Sequence, residues 1–171
     1  MNLTPYRAFG FTIIHVQFYA GERVFLDPVS DNVFPVGEHF PFVWLYTKGK
    51  DVLRNVATGE LIERQAGDCT LSKPYPLGEW VTTLPEDLEL FCVGANVNQD
   101  KLPLSQYLQE WHLPSGSQAE LPRGTQLFLA AGSLDVASKV MTGPMQVAVK
   151  SGNKVVTATS DCHGFIINAL R

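Results

Sequence analysis

Charge is scarce in this sequence: Lys, Arg, Asp and Glu make up 18% of 171 residues, as 13 cations against 17 anions, and neither sign gathers into a run. A formal net charge of −4 without a basic stripe argues against nucleic acid as a direct partner. Long apolar runs are missing too. No stretch approaches the roughly eighteen consecutive apolar residues that a helical membrane span needs. The opening residues carry no basic segment leading into an apolar one, and their hydrophobic run is broken by His15, Gln17 and Gly21, so no signal peptide is expected. The three cysteines, Cys69, Cys92 and Cys162, are odd in number and contain no CxxC pair. That pattern fits buried reduced thiols rather than a disulfide framework or a zinc knuckle, and it points to the cytoplasm, or to a virion if the protein is a viral component. A Gly-rich phosphate loop, a GxSxG elbow and an HExxH helix are all absent, which removes the common enzyme signatures.

What the sequence does have is 45% hydrophobic residues, enough for a packed core, arranged in short runs separated by Gly, Pro, Asn and Asp. Residues 11–19 alternate as a strand, with Ile14, Val16 and Phe18 on one face and Ile13, His15 and Gln17 on the other. Further strands are predicted at 23–26, 42–47, 52–56, 61–65, 69–71, 79–84 and 88–94, with Thr58-Gly59 and Pro85-Glu86-Asp87 as turns. One short helix is predicted over 102–111, where Pro103 suits a first turn and Leu104, Tyr107, Leu108 and Trp111 recur at helical spacing. The Pro-, Gly- and Ser-rich passage that follows reads as a linker. Strands then resume at 126–130, 135–141, 145–150, 154–159 and 165–168, with Ser151-Gly152-Asn153 as a tight turn. The expected organisation is a β-barrel domain over 1–112, a linker over 113–124 and a C-terminal β segment over 125–171, which either closes a second barrel or extends the first.

The stretch from Trp44 to Val93 resembles the middle of a cupin domain, in the RmlC-like jelly-roll superfamily. It carries a glycine turn at Lys48-Gly49-Lys50, a hairpin through Thr58-Gly59, a Gly67-Asp68 pair and a PxG turn at Pro76-Leu77-Gly78. Glycines at such corners supply the positive φ that a tightly closed barrel demands. The resemblance implies an all-β, cupin-like jelly-roll or β-sandwich barrel. It also implies a metal site built on an HxH pair, a carboxylate and one further His three residues beyond the PxG glycine. That last position is Val81, and the segment before Gly49 holds a single His, so the usual three-histidine site is missing and no cofactor is expected.

The nearest substitute for that site is Glu38 and His39 with Glu79, one imidazole and two carboxylates suited to iron, manganese or zinc, although a lone Glu-His pair is more often a solvated loop. Phe42, Trp44 and Tyr46 share one strand face, and with Glu79 and Trp80 after the PxG turn they are candidates for lining a ligand cavity, against the plainer reading that aromatics fill the barrel. His15 is expected to hydrogen-bond a neighbour. His112 is expected to cap the helix end. Asp161-Cys162-His163 suggests an activated thiol, but adjacent strand residues point to opposite faces.

The leading expectation is a non-enzymatic β-sandwich module acting through protein contacts, with itself as a homo-oligomer or with other proteins of a larger assembly such as a viral particle. The alternative is a cupin-type small-molecule binder or metal-dependent enzyme.

Overall fold

The computed structural model describes residues 1–26, 42–74, 76, 78–95 and 104–168. Strands dominate throughout, because runs rich in Val, Ile, Phe and Thr are cut at short intervals by glycines with positive φ. The chain forms two compact units, Met1–Arg7 with Phe11–Leu102 and Ala8–Gly10 with Pro103–Arg171.

The first unit carries β1 (Asn2–Ala8), β2 (Phe11–Phe18), β3 (Arg23–Leu26), β4 (Phe42–Lys48), β5 (Lys50–Asn55), β6 (Leu61–Gln65), β7 (Trp80–Thr83) and β8 (Leu88–Ala95). They form two four-stranded sheets, ordered β1-β2-β8-β4 and β3-β7-β5-β6, with antiparallel pairing wherever the register is defined. Beside β4, the segment read as a strand at 69–71 is reduced to one bridge between Leu45 and Cys69. Side chains from both sheets meet in one core: Val16, Phe18, Trp44, Tyr46, Leu53, Trp80, Leu84, Leu88, Leu90 and Cys92.

The second unit carries β9 (Leu108–Leu113), β10 (Gln118–Leu121), β11 (Gln126–Ala131), β12 (Ser133–Val136), β13 (Lys139–Thr142), β14 (Met145–Ala148), β15 (Lys154–Ala158) and β16 (Cys162–Ile167). Its sheets run β14-β11-β16-β9 and β10-β15-β12-β13. Leu113, Leu121, Leu127, Leu129, Leu134, Val147, Val149, Val156, Ala158 and Cys162 fill the space between them. Its strand order is that of a jelly roll. The first unit repeats it strand for strand from β2 to β8, with the Cys69 bridge in the place of β14 and β1 added at the edge. The C-terminal β segment therefore closes a second barrel.

Three sequence expectations change here. The predicted helix is a single 3-10 turn at Leu104–Gln106, closed by Tyr107 N–H donating to the Leu104 carbonyl at 2.9 Å. From Leu108 the chain extends as β9 and pairs with β16 from Leu108↔Ile167 to Leu113↔Cys162. A ten-residue helix is marginal in water, so six residues of strand pairing override its periodicity. His112 accordingly caps no helix. The predicted linker holds β10, paired with β15 from Gln118↔Thr157 to Leu121↔Lys154, and only Pro114 to Ser117 and Pro122 to Thr125 turn. The single strand expected at 135–141 is a hairpin, β12 and β13, turning at Ala137 and Ser138 with φ of 52° and 66°. Neither residue is a usual left-handed turn former, which is why the turn left no signal.

Candidate functional site

The site is built on β5, where alternation puts Asp51, Leu53 and Asn55 inward and leaves Val52 and Val56 exposed. This inverts the ordinary preference, since a carboxylate lies inside while two valines face solvent. Asp51 is only 3% exposed. Across the strand pair it faces Arg64 on β6, also buried. The Arg64 guanidinium donates to the carbonyls of Glu63 at 3.1 Å, Lys73 at 3.1 Å and Pro74 at 3.4 Å, so it ties the chain after β6 to the barrel. The Tyr46 hydroxyl, from β4, stands 3.5 Å from Asp51 Oδ2, a long and weak hydrogen bond. Asp51 Oδ1 and the hydroxyl of Thr82 on β7 are buried with no hydrogen-bond partner among the described residues.

Burial pushes the Asp51 carboxyl up to about 7, against the opposing pull of the Tyr46 hydroxyl and the Arg64 guanidinium. Near neutral pH it is therefore divided between a carboxylate that accepts and a carboxylic acid that donates. The turns around this end of the barrel are tightly drawn. Ala66 N–H donates to the Gly49 carbonyl and Gly67 N–H to the Tyr46 carbonyl, and a Cβ on Gly49, whose φ is +77°, would run into the Asp87 carbonyl. At the opposite end Asn55 is structural, since its Oδ1 accepts from Ala57 N–H and Thr58 N–H and holds the β5–β6 turn.

Of the residues singled out from sequence, Trp44, Tyr46 and Trp80 come together in the core of the first unit, and Trp80 Nε1 donates to the Pro76 carbonyl at 3.1 Å. Glu79 is exposed, on the face of the chain opposite Trp80. The side chain of Phe42, like Glu38 and His39, lies outside the described residues. Val81, where a cupin metal site would have its last histidine, alternates out of the barrel between inward Trp80 and Thr82, so a side chain there does not reach the interior. Among the described residues no three His, Cys, Asp or Glu side chains come together to hold a metal ion. His15 behaves as expected, with Nε2 3.2 Å from Glu89 Oε2 and its ring stacked on Phe91 at 4.6 Å.

Cys162 and His163 do fall on opposite faces of β16. The thiol lies in the second core, 3.3 Å from the Ser133 carbonyl and 3.2 Å from that of Ser160, and burial pushes it up, away from a reactive thiolate. All three cysteines are buried thiols. The residues that reasoning from sequence missed are Asp51, Arg64 and Thr82. Their signal was an alternation in 50–55 compatible with either face inward.

Solved structures resemble this chain over most of its length. HutD from Pseudomonas fluorescens SBW25 superposes with a TM-score of 0.57 at 10% identity, covering 95% of this chain and 80% of its own. YhhW from Escherichia coli gives 0.52 at 10% identity over 96% and 84%, and YhaK from the same organism 0.50 at 12% over 94% and 85%. These are cupin-fold proteins. The fold of this chain is a cupin-like β-sandwich. No protein-family model and no curated protein sequence matches it. At such low identity the likeness concerns the fold alone. Among the described residues, no helix is long and apolar enough to cross a membrane.

Proposed function

We propose that this cupin-fold chain binds a small polar molecule between the sheets of its first jelly roll, through a hydrogen bond donated to Asp51. The observation that supports this reading is Asp51 Oδ1, a buried acceptor without a partner among the described residues. Leaving such a group unmatched costs about 1–3 kcal/mol, and a ligand donor that meets it recovers that energy. The Tyr46 ring, whose hydroxyl stands 3.5 Å from Asp51, supplies an apolar wall, and the Thr82 hydroxyl supplies a second polar contact. Saturation-transfer NMR against a set of polyols, amino acids and amines tests this, with wild-type protein compared with Asp51→Asn. At least one of these classes should bind the wild type and weaken tenfold or more in the variant; binding that survives the substitution unchanged contradicts the proposal.

A second reading, association through protein contacts, is supported by the outer face of the β3-β7-β5-β6 sheet. Phe25, Val81, Arg54 and Leu61 line up across it in one row, and Phe25 and Leu61 are 49% and 63% exposed. If this face mediates self-association, Leu61→Lys lowers the sedimentation coefficient. A wild-type chain that sediments as a monomer at high concentration sinks that reading.

A further inference from the structure

In the second unit, His112 on β9 and His163 on β16 stand directly opposite each other in register. Their side chains lie on the face away from the core, since Leu113 and Cys162, their neighbours in sequence, point inward. The rings stack with centroids 4.3 Å apart and planes inclined by 28°. His163 Nδ1 is buried and has no hydrogen-bond partner among the described residues. Side chains directly opposed on antiparallel strands have Cβ atoms about 4.5–5.5 Å apart. Two imidazoles on one transition-metal ion hold their ligating nitrogens about 3 Å apart, given metal–nitrogen bonds of about 2.0–2.1 Å. To present two nitrogens to one ion, the stacked rings must rotate about their side-chain bonds.

We infer that His112 and His163 form a two-imidazole chelate for a borderline divalent transition-metal ion, Cu2+ ahead of Ni2+ or Zn2+, on the outer face of β9 and β16. The choice of metal follows from the ligands. Imidazole nitrogens suit copper, nickel and zinc, with copper favoured among the divalent ions, whereas magnesium and calcium require oxygen. His163 Nδ1, otherwise unmatched, supplies one lone pair and His112 the other, with water completing the coordination sphere.

The electrostatics agree. The Glu110 and Asp161 carboxylates act on the His163 ring in the sense that favours a nearby cation. Asp161 is fixed in place, its Oδ1 accepting from Ser115 N–H at 2.8 Å. The pair lies on the outer face of a sheet in the second unit, whereas Asp51 is buried inside the first.

The test is a Cu2+ titration of the full chain followed by electron paramagnetic resonance. One equivalent should bind with hyperfine splitting from two imidazole nitrogens, Mg2+ should not compete, and His112→Asn and His163→Asn should each weaken binding tenfold or more. Unchanged copper affinity in both variants, or splitting from no more than one imidazole, overturns the inference. On the unmodified protein, substoichiometric Cu2+ should broaden the ring signals of His112 and His163 before those of His15 and His39; the reverse order overturns it equally.

Discussion

In the first jelly roll the strand after the β4 turn opens Lys50-Asp51, two residues beyond Gly49; in the second the corresponding strand opens Ser133-Leu134, two residues beyond Gly132. The two glycines are equivalent in detail. Each has a positive φ, and a Cβ on each would collide with the carbonyl of an aspartate, Asp87 or Asp161, that immediately precedes the last strand of its unit. Asp51 thus occupies the place of Leu134, and its cross-strand neighbour Arg64 the place of Met141. One unit holds a buried carboxyl facing a guanidinium where the other holds two apolar side chains. The buried polar and charged residues, Asp51, Asn55, Arg64, Asp68 and Thr82, all belong to the first unit among the described residues. The second unit shows that this fold closes without a polar interior, so the polar group in the first is not required by the architecture.

That comparison can be broken from either side. The largest effect is expected from giving the second unit the first unit's residue: Leu134→Asp places a carboxylate at a fully buried position without an Arg64 opposite, and should cost about 4 kcal/mol or more. Native-state hydrogen exchange should report the loss in β11 and β16. A cost under about 1 kcal/mol would mean that the two positions are not equivalent.

The reciprocal change removes the burden from the first unit. Because the folded-state value of Asp51 lies above that of an unfolded carboxyl, the folded chain holds the extra proton between roughly pH 4 and 7. Stability contributed by this group is therefore present at low pH and lost as pH rises through about 7, by an amount on the order of 4 kcal/mol. Asp51→Asn, which is neutral throughout, should flatten the pH dependence of first-unit stability over that window and raise stability at pH 8, even as it weakens the proposed ligand binding. Urea titrations at pH 5 and pH 8 would show it.

A smaller contrast concerns the turns. Gly49→Ala meets both a positive φ and the Asp87 backbone, and should cost about 3 kcal/mol, whereas Gly152 has φ +59° and open space around it, so Gly152→Ala should cost about 1 kcal/mol. Equal costs in thermal melts would remove the role assigned to the close approach at Gly49.

The strands of both units were largely legible in the sequence, because their apolar runs and turn residues are local signals. The segment 61–65 was bounded as it is in the structure, and 88–94 differs from β8 only by its last residue. What was not legible depended on distant partners. β9 carries a helical spacing of Leu and Trp that only pairing with β16 overrules, and β10 has too few apolar residues to stand out until β15 lies beside it. The site was harder. Trp44, Tyr46 and Trp80 were visible as aromatics of one barrel, but in 50–55 valine and leucine sit at successive positions, so the alternation cannot tell which face is buried. Only the sheet opposite decides that Asp51 is inside.

The most direct measurement is the titration of the Asp51 side-chain carboxyl by carbon-13 NMR in the full chain. A midpoint near 7 is the result expected of a buried carboxyl without an adequate partner. A midpoint at or below about 4, the ordinary carboxylate range, would mean that Asp51 is solvated or fully paired, and would contradict its role as the open acceptor of the first jelly roll.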